Sequence, residues 1–151
     1  MEIFRVTFAG HRVIDDARRV ESDLYDVLSK IVREHEFTEF FVGDNGDFDI
    51  LATSVIRRVR RAQGEEKCAI NLVLPYTKSN LEIIEHQFDS VIIPPGLHGA
   101  HPKAALGERN RRMVEQGDLI ICYVKRKGGA ERTMRYAEKI GKIEVINLAE
   151  Q

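Results

Sequence analysis

Six apolar residues in a row, Leu119-Ile120-Ile121-Cys122-Tyr123-Val124, constrain this chain more than any other stretch. The run is short for a helix and lacks the polar–apolar alternation of a half-exposed strand. It reads as a strand covered on both faces, the kind found in parallel sheets between layers of helices. Cys68–Leu74 (CAINLVL) has the same character.

The other segments fit around these two. Strands are expected at Ile3–Ala9, Glu39–Val42, Ser90–Ile93 and Glu144–Asn147, the last followed by a short tail. Between them, Val20, Leu24, Val27, Leu28 and Ile31 recur at helical spacing and predict a helix over Asp16–His35. A second helix is expected over Phe48–Ala62, with Asp47 as its N-cap, Ile50, Leu51, Val55 and Val59 inward and its arginines outward. A short helix near Asn80–His86, one over 102–116 opened by Pro102, and one after Gly129 complete the pattern. Strands alternating with helices predict an α/β, three-layer Rossmann-like fold, with a mostly parallel sheet and helices on both faces. The length of 151 residues suits one domain.

In such sheets ligands bind beyond the carboxyl ends of the strands. The unusual loops all lie there: Gly10-His11-Arg12, Gly43–Asp47, Pro75-Tyr76, Pro94–His101 and Lys127–Ala130. Loops on the opposite edge, Arg33–Thr38 and Gly64–Lys67, read as plain charged surface.

Composition narrows the partners. Apolar residues make up 43% and charged residues 31%, with a formal net charge of −1, so no global field draws the chain to nucleic acid or an anionic membrane. Two cysteines form no framework of disulfides, and both sit in apolar strands. No signal peptide and no transmembrane run is visible, so a cytoplasmic setting is expected.

Within the helix over 102–116, Arg109 and Asn110 fall in the inward stripe with Ala105, Leu106, Met113 and Val114, while Arg111 and Arg112 turn outward. A buried arginine needs a partner: either Asp44 or Asp47 in a structural ion pair, or a ligand anion. The diglycine Gly128-Gly129 is either an ordinary turn or a phosphate cradle at a helix N-terminus. Thr133 lies inward on the next helix, either bonding the backbone one turn earlier or sitting under a phosphate. His11 and Arg12 stand where phosphate or ribose would be held. Carboxylates of the acidic stretch Gly43–Asp49 would repel phosphate but suit ribose hydroxyls or a hydrated cation, and its loop 43–47 is expected to approach ribose. His98 and His101 have metal-like spacing but no fixed third ligand, so no metal is expected. There is no GxGxxG, Walker A, GxSxG or HExxH sequence.

Five stretches taken together carry a resemblance: Thr7-Phe8-Ala9-Gly10-His11-Arg12; Gly43-Asp44-Asn45-Gly46-Asp47-Phe48-Asp49; Leu74-Pro75-Tyr76; Glu108-Arg109-Asn110-Arg111-Arg112-Met113; and Gly128-Gly129-Ala130 with Thr133. In this order they resemble the YpsA-like branch of the SLOG superfamily, which also includes the DprA/Smf proteins and the LOG enzymes. The resemblance implies a Rossmann-like fold binding a nucleotide or nucleotide-derived ligand, or phosphate. It points to Gly10, Arg12, Gly43, Gly46, Arg109, Asn110, Gly128, Gly129 and Thr133 as ligand-binding residues. From their loops, His11, Asp44 and Pro75 join them.

The leading expectation is a small module with a sensor or regulatory role, and exposed helix faces leave room for a homo-oligomer. One alternative is a LOG-like phosphoribohydrolase, with Arg109, Glu131 and Asp44 as catalytic candidates and Asp47 as a further acid. The turn here lacks the family's PGGxGTxxE sequence, and Glu131 lies too early to match its glutamate. The other alternative is a single-stranded DNA-binding protein of DprA type, for which aromatics at 7% and no Trp are poor material.

Overall fold

A computed structural model describes residues 1–97 and 99–150. Six strands form one sheet: β1 (Ile3–Gly10), β2 (Phe37–Val42), β3 (Cys68–Val73), β4 (Ser90–Ile92), β5 (Leu119–Tyr123) and β6 (Glu144–Asn147). Every pairing is parallel, in the order β4-β3-β2-β1-β5-β6. Five helices connect them: α1 (Ala17–Glu34), α2 (Asp47–Gln63), α3 (Leu81–Glu85), α4 (Pro102–Gln116) and α5 (Gly129–Ile140).

The two apolar runs explain the layering. Successive strand residues point to opposite faces. On β5, Leu119, Ile121 and Tyr123 pack with Val20, Leu24 and Leu28 of α1 and Phe48, Val55 and Val59 of α2. Ile120 and Cys122 pack on the other face with Val114 of α4 and with Met134 and Ala137 of α5. A strand covered twice must be apolar at every position, and this one is. Burial raises the Cys122 thiol to about 12 and the Cys68 thiol to about 11, so both behave as small apolar groups.

Several details differ from the sequence reading. Thr38, expected on the surface, is fully buried inside β2, which begins two residues earlier than Glu39. Glu65–Lys67 forms a 3-10 turn. Asp47 does not cap α2. It is the first helical residue, and its carboxylate accepts the Ile14 N–H at 3.3 Å while its own N–H bonds the Arg12 carbonyl at 2.8 Å. Asp47 therefore ties the loop after β1 to the start of α2. Ile50, expected inward, is 66% exposed, because the buried face of α2 runs through Phe48, Ala52, Val55, Ile56 and Val59. The tail after β6 forms a 3-10 turn whose Leu148 is buried in the core. Among the described residues, no helix is long and apolar enough to cross a membrane.

The order of strands sets the place for a ligand. The chain winds outward from β1 through β2, β3 and β4, then returns to add β5 and β6 on the other side. Connections leave β1 and β5 in opposite directions, which opens a crevice beyond their carboxyl ends. Gly10 ends β1 at this point. A Cβ on Gly10 would overlap the ring of Phe48, so the glycine lets α2 close against β1. Gly10→Ala is expected to lower stability by about 1–3 kcal/mol through overpacking. Urea denaturation at neutral pH measures this, and an unchanged midpoint would show that the Phe48 ring moves aside freely.

Candidate functional site

The crevice is an open cleft of about 760 Å³ at the carboxyl edge of the sheet. Most of the residues singled out from sequence meet there. Gly10, His11 and Arg12 enter from β1, and Gly43 and Asp44 from the loop after β2. Pro75 follows β3, Arg109 and Asn110 come from α4, and Gly129 and Thr133 from the first turns of α5. Gly46, Gly128 and Glu131 are not among the lining residues. Gly46 packs against the Arg12 backbone, and Gly128 precedes α5 as its N-cap. Glu131 pairs with Arg135 at 3.1 Å on the helix surface.

Arg109 stands at the floor. It is 3% exposed, in a helix whose other buried residues are Ala105, Met113 and Val114. Its Nη1 donates to the Val73 carbonyl at 2.8 Å, and its Nε to Asn110 Oδ1 at 2.9 Å. Both acceptors are neutral. Neither expected partner pairs with it: Asp44 binds Lys78, and Asp47 holds Ile14. Among the described residues, no carboxylate comes within 4.0 Å of its guanidinium. Burial pulls its proton affinity below the ordinary arginine range, opposed by the more distant charges of Asp49, Asp44 and Tyr76. An arginine still keeps its proton under such conditions. The result is a fixed, largely desolvated positive charge whose Nη2 has no protein partner among the described residues.

Gly43 makes this placement possible. A Cβ there would lie 2.6 Å from Arg109 Nη1 and 2.9 Å from Asp49 Oδ2. The missing side chain leaves room for both groups around one small volume. Asp49 is in the first turn of α2, and its Oδ2 accepts the Asn45 N–H at 2.8 Å. Burial raises its carboxyl above the usual carboxylate range, with the Asn45 N–H and Arg109 opposing the rise.

His11 is held differently. It is 7% exposed, its Nε2 accepts the Lys125 N–H at 2.9 Å, and its ring meets Tyr123 edge-on. Desolvation, then the charges of Arg126 and Lys125, lower its pKa. With Nε2 accepting, the neutral ring carries its proton on Nδ1.

At the far wall, α5 begins without a side-chain cap, so its first N–H groups are unclaimed by side chains. The Thr133 hydroxyl bonds the Gly129 carbonyl one turn back at 3.0 Å. His101 caps α4 by accepting the Lys103 N–H at 3.2 Å. Its expected companion His98 lies outside the described residues, and no group of three or more metal-ligating side chains occurs among those described.

Lys78, Lys103 and Arg132 line the cleft without having been singled out from sequence, whereas Asp49 and Tyr76 belong to the acidic and Pro75-Tyr76 stretches that were. Lys103 and Arg132 lie on α4 and α5, whose facing depends on how those helices pack, and Lys78 lies between β3 and α3, where it binds Asp44. Tyr76 is 44% exposed and offers an aromatic face beside Pro75. Six cationic side chains and two carboxylates line the cleft, in a chain whose formal net charge is −1. Arg112, expected in solvent, is half-buried and bonds the Pro95 carbonyl.

With this geometry in view, comparison with solved structures is informative. The chain's fold is similar to that of DNA processing protein A. The protein from Streptococcus pneumoniae matches with a TM-score of 0.69 and 19% identity, over 95% of this chain and 49% of that one. The protein from Helicobacter pylori, whose structure describes a single-stranded DNA binding mode, matches with a TM-score of 0.61 and 17% identity, over 94% of this chain and 64% of that one. The chain thus spans about half to two-thirds of the length of these neighbours. At such identities the likeness concerns the fold. No protein-family model matches the sequence, and no curated protein does.

The state of His11 has a consequence for stability. In the unfolded chain its pKa is near 6.5, and in the folded chain it is lower. As pH falls through 6.5, the unfolded state takes up a proton before the folded state does, so stability drops. Urea midpoints should therefore fall between about pH 7.5 and about pH 5.5. In His11→Gln, which keeps an acceptor for Lys125, that fall should shrink. An equal fall in the variant would show that His11 titrates as it does in the unfolded chain.

Proposed function

We propose that this chain is a nucleotide-binding module of the SLOG type, related to the YpsA-like branch, with a sensor or regulatory role. Its ligand is a nucleotide or nucleotide-derived small molecule held in the cleft. The observation that carries this reading is Arg109: a guanidinium 3% exposed, held by two neutral acceptors, with no carboxylate paired to it. A buried charge of this kind is costly unless an anion completes it. A ligand phosphate supplies that anion on Arg109 Nη2, with the uncapped start of α5 and Gly129 on the opposite wall. Asn110 braces the arginine, and Tyr76 supports a base by stacking. His11 Nδ1–H provides a neutral donor at the switch point.

A second reading has its own observation. Arg12, Lys103 and Arg132 line the mouth of the cleft and make no ion pair among the described residues. A single DNA strand laid along them would follow the precedent of the Helicobacter pylori neighbour. For the phosphoribohydrolase reading, Glu131 and Asp47 stand outside the lining, while Asp44, bound to Lys78, and Asp49 line the cleft.

Titration calorimetry with nucleoside monophosphates, comparing wild type with Arg109→Met, tests the leading reading. Methionine removes the charge and fills similar space. Binding should weaken about 100-fold or more, while the ligand-free melting temperature stays level or rises. Unchanged binding in the variant places the site elsewhere. Gel shifts that vanish steeply with added salt, with no affinity for mononucleotides, would favour the DNA reading.

A further inference from the structure

The loop after β2 and the first turn of α2 carry three acids, and the structure gives each a different employment. Asp44 is bound to Lys78. Asp47 is exposed, outside the lining, and engaged with the Ile14 N–H. Asp49 lines the cleft, makes no ion pair, and has one backbone N–H on Oδ2, with no protein donor to Oδ1 among the described residues.

Its position relative to Arg109 matters more than its freedom. Asp49 Oδ2 and Arg109 Nη1 both approach the space left by Gly43, yet the two charges stay apart instead of pairing. Arg109 itself is 3% exposed and keeps Nη2 without a partner. A cationic donor and an anionic acceptor therefore face one volume, close enough to feel each other's charge but not joined in an ion pair. A ligand complementary to both presents an anion to the arginine and, a few ångströms away, an O–H donor to the carboxylate. A ribose phosphate has this pattern. Inorganic phosphate has no sugar hydroxyl to offer, and a deoxyribose has one hydroxyl fewer.

We propose that Asp49 accepts a hydrogen bond from a ribose hydroxyl of the bound nucleotide, so that the cleft selects ribonucleotides over deoxyribonucleotides. This rests on the nucleotide reading of the cleft and adds a specificity to it. An ionised carboxylate is an acceptor only, so it reads a hydroxyl by taking its proton side. A bound ligand would cover this half-buried carboxylate, so a ligand that offers it no donor leaves it desolvated and unpaired, which is costly. The selectivity also separates the two readings of the cleft, because a DNA strand cannot supply the 2′-hydroxyl.

The test uses the four 5′-ribonucleoside monophosphates with their 2′-deoxy and 3′-deoxy counterparts, measured by calorimetry on the full chain. In wild type, loss of a hydroxyl should weaken binding about tenfold or more, the scale of one hydrogen bond to a charged group. In Asp49→Asn, which keeps an acceptor for the Asn45 N–H, ribose and deoxyribose forms should bind within about twofold of each other. Asp49→Ala controls for any hydrogen bond made by the new amide and should likewise lose the preference. Arg109→Met should weaken both sugars alike. Equal binding of ribose and deoxyribose forms by wild type overturns the inference while leaving the nucleotide reading in place. So does a preference that survives in both Asp49 variants. Absence of binding by any mononucleotide overturns both.

Discussion

A guanidinium removed from water costs several kcal/mol unless its charge is met, and among the described residues Arg109 has only more distant carboxylates and no ion-pair partner. The surrounding structure is arranged to permit this. The Val73 carbonyl and Asn110 Oδ1 occupy two of its donors and fix the plane of the group. Gly43 has no side chain, so Nη1 fits beside the loop after β2. α4 presents the residue inward because Ala105, Met113 and Val114 share its face and bury it. Each of these supports would be superfluous for a surface arginine. Together they hold a charge at the floor of the cleft without an ion-pair partner among the described residues.

The sheet supplies the rest. Its order reverses at β1, so loops after β1, β2 and β3 meet helices α4 and α5 around one opening. The two apolar runs in β3 and β5 make this rigid by burying both faces of the central strands. Polar groups at the rim are therefore carried on a fixed frame. The basic lining arises locally, from six cations brought together in a chain that is nearly neutral as a whole. Net charge is a poor guide to a cleft, because the field inside depends on which side chains fold into it.

The helical phase of α4 was readable in advance, since an inward stripe at three- and four-residue spacing needs no tertiary information. The partner of Arg109 was not readable. Asp44 and Asp47 were both plausible, and each turned out to serve another group. For α2, beginning the helix one residue late with Asp47 as cap went with placing Ile50 inward. Asp49 was legible only as one acid of the stretch Gly43–Asp49, because its nearness to Arg109 depends on packing between segments distant in sequence. Gly10 was read as room for a ligand, and it proved also to be room for Phe48.

By itself the sequence determined the alternation of strands and helices, the parallel sheet, the edge on which a ligand would sit and the inward face of Arg109. These follow from local periodicity and from glycines and prolines at strand ends, properties carried by residues close together in the chain. The tertiary structure alone decided which charges pair and which are left over. Lys78 claims Asp44, the Ile14 N–H claims Asp47, and Arg109 and Asp49 flank a glycine without touching. Pairing depends on distances of a few ångströms between segments far apart in sequence, and those distances exist only once the sheet has brought its loops together.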